Sequence, residues 1–196
     1  GDVTPLHAFE PTTEGDGPAG SLVQMADGRL LGLTQEAVWG AALATATAFS
    51  IATSGEFAIV HRFADPDGSA PNYLIQSTGG MLYGTTGLGG AEHSGVLFRL
   101  PGSGTADVLH EFPFRDRSLF STILPGGADT APTLMEASDG NFYGTTFGIG
   151  SNHGGTLFRA MPAGEYVDLV NFYGLVNGPQ PLAPPIQASD GALYGS

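Results

Sequence analysis

Ser138-Asp139-Gly140-Asn141-Phe142-Tyr143-Gly144-Thr145-Thr146 reads as the close of one strand, a tight turn and a second strand. The stretch recurs. Ser77-Thr78-Gly79-Gly80-Met81-Leu82-Tyr83-Gly84-Thr85-Thr86 stands upstream, and Ser189-Asp190-Gly191-Ala192-Leu193-Tyr194-Gly195-Ser196 closes the chain. Ala26-Asp27-Gly28-Arg29-Leu30-Leu31-Gly32-Leu33-Thr34 is a weaker copy. The copies place Gly32, Gly84, Gly144 and Gly195 in register, at spacings of 52, 60 and 51 residues. Other features keep the same register. Leu6-His7-Ala8-Phe9, Val60-His61-Arg62-Phe63 and Leu109-His110-Glu111-Phe112 form one series, continued by Val170-Asn171-Phe172, where valine replaces histidine. Gly95-Val96-Leu97-Phe98-Arg99 matches Gly155-Thr156-Leu157-Phe158-Arg159, with Ala48-Phe49-Ser50 a degenerate version. Several features repeating in one order define a repeat architecture.

Each repeat reads as four short strands. In the third copy these are Pro132–Ala137, Asn141–Thr146, Gly155–Met161 and Tyr166–Phe172. Asp-Gly joins the first pair, which predicts a type I′ turn with both central residues at positive φ. Pro162-Ala163-Gly164 turns the third strand into the fourth, as Pro101-Gly102-Ser103-Gly104 does one copy earlier. Gln35–Ala48, Ala-rich and containing Trp39, reads as an irregular insertion with a short helix as the alternative. Four antiparallel strands at a period near fifty residues predict an all-β, β-propeller-like array of blades. The boundaries are 10–63, 64–112 and 113–172 for three full repeats and 173–196 for a partial one, all within a single domain, 1–196. A strand at Val3–Phe9 of fourth-strand type would close the sheet. Because the last copy halts after its second strand, the sequence predicts a fragment of a longer array or a blade completed by a second chain. Tyr83, Tyr143, Tyr194, Phe98, Phe158, Gly84 and Gly144 are the structural residues of this pattern. Neighbouring residues of a strand face opposite sides, so Phe142 and Tyr143 can each bury against a different blade. A glycine inside a strand marks a bulge or a close approach to another backbone.

Composition narrows the function classes. The 196 residues carry a formal net charge of −13, with 6 Lys+Arg, all arginine, against 19 Asp+Glu. Such a surface repels phosphate backbones and anionic headgroups, which argues against nucleic acid and membrane-surface partners. There is no cysteine, so disulfides and thiolate metal sites are excluded. Gly 31 and Pro 14 punctuate many short elements. No apolar run approaches the ~18 residues of a membrane span. No basic segment followed by an apolar one opens the chain, so in an exported form Gly1 follows a processing site.

Asp-Gly-Asn-Phe-Tyr-Gly-Thr-Thr (139–146), a Gly-rich loop, Gly-Thr-Leu-Phe-Arg (155–159), a Pro/Gly turn and a closing strand ending in Phe together resemble the GloVer repeat. The similarity runs from Val3 to Ser196 and is strongest in the second and third copies. In the first, Leu31-Gly32-Leu33-Thr34 stands for Tyr-Gly-Thr-Thr, and no Gly-rich loop follows. The resemblance implies an exported bacterial repeat protein, extracellular or at the cell surface. It transfers no catalytic residue.

In a propeller the fourth-to-first and second-to-third loops emerge on one face. The first class carries Asp16, Asp65, Asp67 and Asp129, and the second carries His93 and His153, each two residues before an aligned glycine. Carboxylates suit Ca²⁺ and imidazoles suit transition metals, so these six residues are the candidate ligand or metal rim. Asp65-x-Asp67-Gly68 resembles the start of a calcium loop without its later ligands. The preferred reading is turn chemistry, in which Asp and Asn side chains bond their own loops. His7, His61 and His110 fall on outer strands, where a structural hydrogen bond is favoured over a functional role. No Gly-x-Ser-x-Gly elbow is present, and no catalytic residue is assigned. The leading expectation is a non-enzymatic extracellular binding or surface-display scaffold, for a glycan or protein ligand, without a required cofactor. A polysaccharide-acting enzyme with its site at the channel mouth is one alternative. A self-assembling structural protein that completes its end blade by strand exchange is the other.

Overall fold

The computed structural model describes residues 3–35, 45–101, 105–113, 133–146, 153–173, 181 and 183–195. Within them the chain builds three four-stranded antiparallel sheets and one hairpin. The first blade is β1 (Pro18–Gln24), β2 (Leu30–Thr34), β3 (Thr47–Ile51) and β4 (Phe57–Arg62). The second is β5 (Ser69–Gln76), β6 (Leu82–Leu88), β7 (Val96–Leu100) and β8 (Asp107–Glu111). The third is β9 (Met135–Glu136), β10 (Phe142–Thr146), β11 (His153–Ala160) and β12 (Tyr166–Tyr173). The hairpin is β13 (Ile186–Gln187) and β14 (Leu193–Tyr194). In each blade the strands pair in chain order, as a meander does. The all-β blade array expected from the repeat is what the chain forms. Among the described residues, helix is confined to one turn, α1 (Pro11–Glu14), and a 3-10 turn at Asp65–Asp67. The candidate insertion at Gln35–Ala48 lies mainly outside the described residues, and its last two positions open β3.

The repeated glycine is explained by the strand beside it. Gly32, Gly84 and Gly144 pair directly with Phe49, Phe98 and Phe158 of the third strands. A Cβ at these three glycines would lie 2.5, 2.3 and 2.4 Å from the Cζ of those rings. At Gly144 it would also lie 2.0 Å from the Thr133 carbonyl oxygen. The ring lies across the bare strand, and any side chain would collide with it. Space, rather than backbone freedom, selects glycine here. The last residue of the motif has a different duty. Thr34, Thr86 and Thr146 each accept, through Oγ1, a backbone amide of the following third strand, from Thr47, Val96 and Thr156 at 2.9, 2.9 and 3.0 Å.

The cores lie between blades. Leu31, Leu33, Ala48 and Phe63 pack with Leu82, Val96, Phe98 and Leu100, joining the first blade to the second. Tyr83, Leu97 and Phe112 pack with Phe142, Phe158 and Ala160, joining the second to the third. Leu82 and Tyr83, consecutive in β6, therefore serve opposite neighbours, as strand alternation requires. Polar clamps run alongside. Thr78 donates its amide and hydroxyl to the Glu136 carboxylate at 2.7 and 3.0 Å, and the Ser138 amide donates to Gln187 Oε1 at 2.8 Å.

Two expectations are corrected. The Asp-Gly turn is not type I′. The Gly140 amide donates to the Ala137 carbonyl at 2.9 Å, and of Asp139 and Gly140 only the glycine has positive φ, 76°. This is a type I turn closed by a left-handed glycine, the three-residue hairpin loop. The Asp139 carboxylate braces this turn, its Oδ1 accepting the Asn141 amide at 3.0 Å, and the second blade closes the same way at Gly80 with Gly79 in the place of the aspartate. Asp27 and Asp190 do the same for Arg29 and Ala192. Second, Val3–Phe9 forms no strand. Its side chains nonetheless dock where a fourth strand's would. Phe9 meets Phe49 at 5.0 Å, as Phe63 meets Phe98 at 5.2 Å and Phe112 meets Phe158 at 5.8 Å. His7 stacks on Phe57 at 3.8 Å, as His110 stacks on Tyr166 at 3.6 Å. The packing register of the repeat survives without the ladder.

Candidate functional site

The fourth-to-first and second-to-third loops do meet. Between the first and second blades, Ala64–Gly68 approaches Gly89–Gly95, and the Gly90 amide donates to the Asp65 carbonyl at 2.7 Å. His93 Nδ1 stands 3.6 Å from Asp65 Oδ1, with side chains 69% and 72% exposed. That is a solvent-facing pair at the long end of ion-pair distances, held in place by backbone rather than by itself. His93 also sits at φ 52°, a left-handed conformation that few residues with a Cβ adopt. Gly89, Gly90 and Gly95 around it are all at positive φ. At Gly95 a Cβ would lie 2.1 Å from the Thr86 carbonyl oxygen. The loop is thus tightly folded, and it turns an imidazole outward.

Asp67 plays a different part from its neighbour Asp65. Its Oδ2 lies 2.8 Å from His61 Nε2, in a nearly buried pair of 6% and 16% side-chain exposure. Its Oδ1 accepts the Ala64 amide at 2.7 Å and so caps the 3-10 turn. The same device stands one blade earlier. Glu14 Oε2 lies 2.7 Å from His7 Nε2 and accepts the Glu10 amide at 2.9 Å, closing α1. These bonds to the Glu10 amide and to His7 hold the Glu14 carboxyl below its usual range. A histidine in fourth-strand register and an acid of the next loop together fasten the loop to the blade edge. His110, stacked on Tyr166, is depressed in basicity by burial, against the opposing pull of Asp168 and Glu111. Tyr166 is in turn pushed up by its own desolvation and by Asp168, whose Oδ1 accepts its hydroxyl at 2.9 Å.

The other candidates are spread along the rim. Asp16 is exposed, and its backbone amide donates to the Gln35 carbonyl at 2.9 Å. His153 opens β11, where its backbone pairs with Tyr173; its side chain lies outside the described residues, as does Asp129 altogether. Among the described residues no three His, Asp or Glu side chains gather as a metal ion would require. The structure therefore brings together Asp65 with His93 and, separately, Asp67 with His61. The sequence had assigned Asp67 to the rim and His61 to the outer strand without joining them.

A second polar cluster stands at the opposite end of the strands. Tyr143 donates its hydroxyl to Asp139 Oδ2 at 2.8 Å, and Asn141 Nδ2 donates to the same oxygen at 2.8 Å. The Asn141 bonds hold the Asp139 carboxyl below its usual range, and desolvation holds the Tyr143 phenol above its own. In the second blade, with Gly79 in place of the aspartate, Arg99 turns to Asp107 at 2.7 Å.

No helix among the described residues is long and apolar enough to cross a membrane. No family model matches the chain. No curated protein matches it in sequence. Solved structures do match in fold. The chain is similar to virginiamycin B lyase from Staphylococcus aureus, with a TM-score of 0.52 and 16% identity over 89% of this chain and 47% of that one. It is also similar to the PQQ-bound aldose sugar dehydrogenase of Streptomyces coelicolor, with a TM-score of 0.56 and 18% identity over 94% of this chain and 57% of that one. The chain thus spans about half the length of the structures it matches, and at these identities the likeness is one of fold. What the blades and these neighbours establish together is a β-propeller-type architecture.

Proposed function

We propose that the chain is a non-enzymatic binding or display scaffold, in which rigid blades present the rim formed by the fourth-to-first and second-to-third loops. The observation that carries this reading is the division of labour among the repeated residues. Gly32, Gly84 and Gly144 make room for rings, Thr34, Thr86 and Thr146 cap strands, and His7 and His61 tie down loops. The repeat is consumed by architecture, while Asp65 and His93 face solvent. A rigid frame carrying variable, exposed loops is a common arrangement for recognition. The net charge of −13 favours a neutral glycan, a basic protein surface or a divalent cation such as Ca²⁺ as ligand. The resemblance to the GloVer repeat supports an extracellular or cell-surface setting. The enzymatic names of the structural neighbours weigh little at 16% and 18% identity.

The test is a screen of the purified chain on glycan and protein arrays, with and without calcium, repeated with Asp65→Asn/His93→Ala. Saturable binding that the double variant weakens is the expected result. No ligand on any surface, or turnover of an arrayed saccharide, overturns the reading.

A further inference from the structure

Five Asp-Gly steps punctuate the chain, at Asp16, Asp27, Asp67, Asp139 and Asp190. In such a step the glycine amide nitrogen can attack the aspartate's own carboxyl carbon, since glycine has no side chain to obstruct the approach. The structure places that carboxyl differently from step to step. At Asp27 it folds forward across Gly28, its Oδ1 accepting the Arg29 amide at 3.0 Å, which brings the carboxyl carbon toward the intervening amide nitrogen. Asp27 and Gly28 are exposed, and a Cβ built on Gly28 meets nothing within 4 Å. Asp139 folds the same way, but its Oδ2 is held by the Tyr143 hydroxyl and by Asn141 Nδ2, both at 2.8 Å. In the first blade Leu31 and Arg29 occupy those two positions. Leucine has no donor, and Arg29 sends its guanidinium away, to Ser50 Oγ and the Glu56 carbonyl at 3.2 and 3.1 Å. Asp190 keeps one such restraint, the Tyr194 hydroxyl at 3.3 Å. Asp67 turns its carboxylate backward, to the Ala64 amide and His61. At Asp16 the backbone is clamped to Gln35, whose carbonyl accepts the Asp16 amide at 2.9 Å and whose amide donates to the Gly17 carbonyl at 3.2 Å.

We propose that Asp27-Gly28 is a site of spontaneous backbone modification, the Asp-Gly step of this chain that isomerises first to isoaspartate. The Gly28 nitrogen gives up its proton and bonds to the Asp27 carboxyl carbon, a carboxyl oxygen leaves as water, and a five-membered succinimide results. Water then adds to the ring. Where it breaks the bond from nitrogen to the former backbone carbonyl carbon, the chain runs on through the side-chain carbon and the old carbonyl becomes the free carboxylate. Water is the only co-reactant, and the mass of the chain is unchanged. The Gly28 amide donates to the Met25 carbonyl at 2.9 Å, as the Gly140 amide does to Ala137, so this bond opposes attack equally in the two turns. The second carboxylate oxygen makes the difference. The Asn141 and Tyr143 bonds also hold the Asp139 carboxyl below its usual range, which keeps its oxygen a poor leaving group. The product lengthens the backbone by one carbon between Asp27 and Gly28. That misplaces the Arg29 carbonyl, which accepts the Met25 amide at 2.8 Å, and loosens the end of the β1–β2 hairpin.

The test incubates the whole folded chain at neutral pH in heavy-oxygen water and follows each Asp-Gly peptide by mass spectrometry, with fragmentation that separates isoaspartate from aspartate. Isoaspartate carrying one heavy oxygen should accumulate at Asp27 at least about tenfold faster than at Asp139, because two further hydrogen bonds must break before the Asp139 carboxyl reacts. In Tyr143→Phe/Asn141→Ala, with the circular dichroism unchanged, the Asp139 rate should rise toward that of Asp27. The order of rates in the unaltered chain stands as a test by itself if that variant fails to fold. Isoaspartate appearing first at any other Asp-Gly step overturns the proposal. So does its absence at Asp27 when a urea-unfolded control forms it there, and so does an Asp139 rate that the folded double variant leaves unchanged.

Discussion

Two contacts made within a repeat differ in almost every respect. At Gly144 a phenylalanine ring lies against a bare strand, Phe158 is fully buried, and even one added carbon has no place to go. At the rim, Asp65 and His93 stand 3.6 Å apart with both side chains mostly in water. The glycine–phenylalanine pair recurs in aligned positions of the sequence, and so does the histidine of the rim, yet only the first contact is held by packing. Interiors are close-packed and forfeit contacts when a group is removed, whereas an exposed ion pair competes with water and salt. Recurrence of residues therefore says nothing by itself about what they contribute.

Breaking the first contact should have the largest effect. Phe158→Ala removes a ring that touches Phe112 and Tyr166 and lies over Gly144. A loss of about 3–5 kcal/mol of unfolding free energy is expected, read from the urea midpoint. A loss below about 1 kcal/mol would mean that the blades hold together without this seam.

An intermediate contact sharpens the comparison, because it titrates. His110 is stacked on Tyr166, and burial lowers its pKa below the ordinary 6.5. The unfolded chain then takes up a proton at higher pH than the folded one. Stability contributed by the neutral ring is complete above about pH 6.5 and is lost as pH falls toward the folded value. In His110→Phe, which keeps the stacking, the slope of unfolding free energy against pH should flatten between the ordinary value and the depressed one. An unchanged slope would exclude His110 as its source.

The smallest effect belongs to the rim. Asp65→Asn and His93→Ala should each change stability by no more than about 0.5 kcal/mol, because neither side chain is buried or enclosed. His93→Gly should stabilise slightly, since φ 52° suits glycine better. Thermal melts of the three variants measure this, and a large loss would show that the rim loop helps to hold the blades.

Much of the architecture was legible because the blade is local. Each strand pairs with its neighbour in the chain, so the order of turn signals and apolar residues between Asp139 and Phe172 already contained the ladder. The close approach at Gly144 was also readable, as a glycine within a strand. The candidate site was legible only as a set of loops. Joining His61 to Asp67 and His7 to Glu14 required the loop to fold back on the outer strand, and nothing in the spacing fixed that before the turn was formed.

By itself, then, the sequence determined the repeat, the strand order, the all-β class and the glycine positions, because these follow from alternation, turn chemistry and steric need within about fifty residues. Only the structure decided that the loop at Asp139–Gly140 is a type I turn closed by a left-handed glycine rather than a type I′, the same loop that Gly79–Gly80 forms without a carboxylate. Only it showed that Val3–Phe9 keeps the packing of a fourth strand without the hydrogen bonds of one. Ring packing needs only a neighbouring surface, which the first blade supplies. A ladder needs a partner strand beside it, and that depends on contacts made across blades.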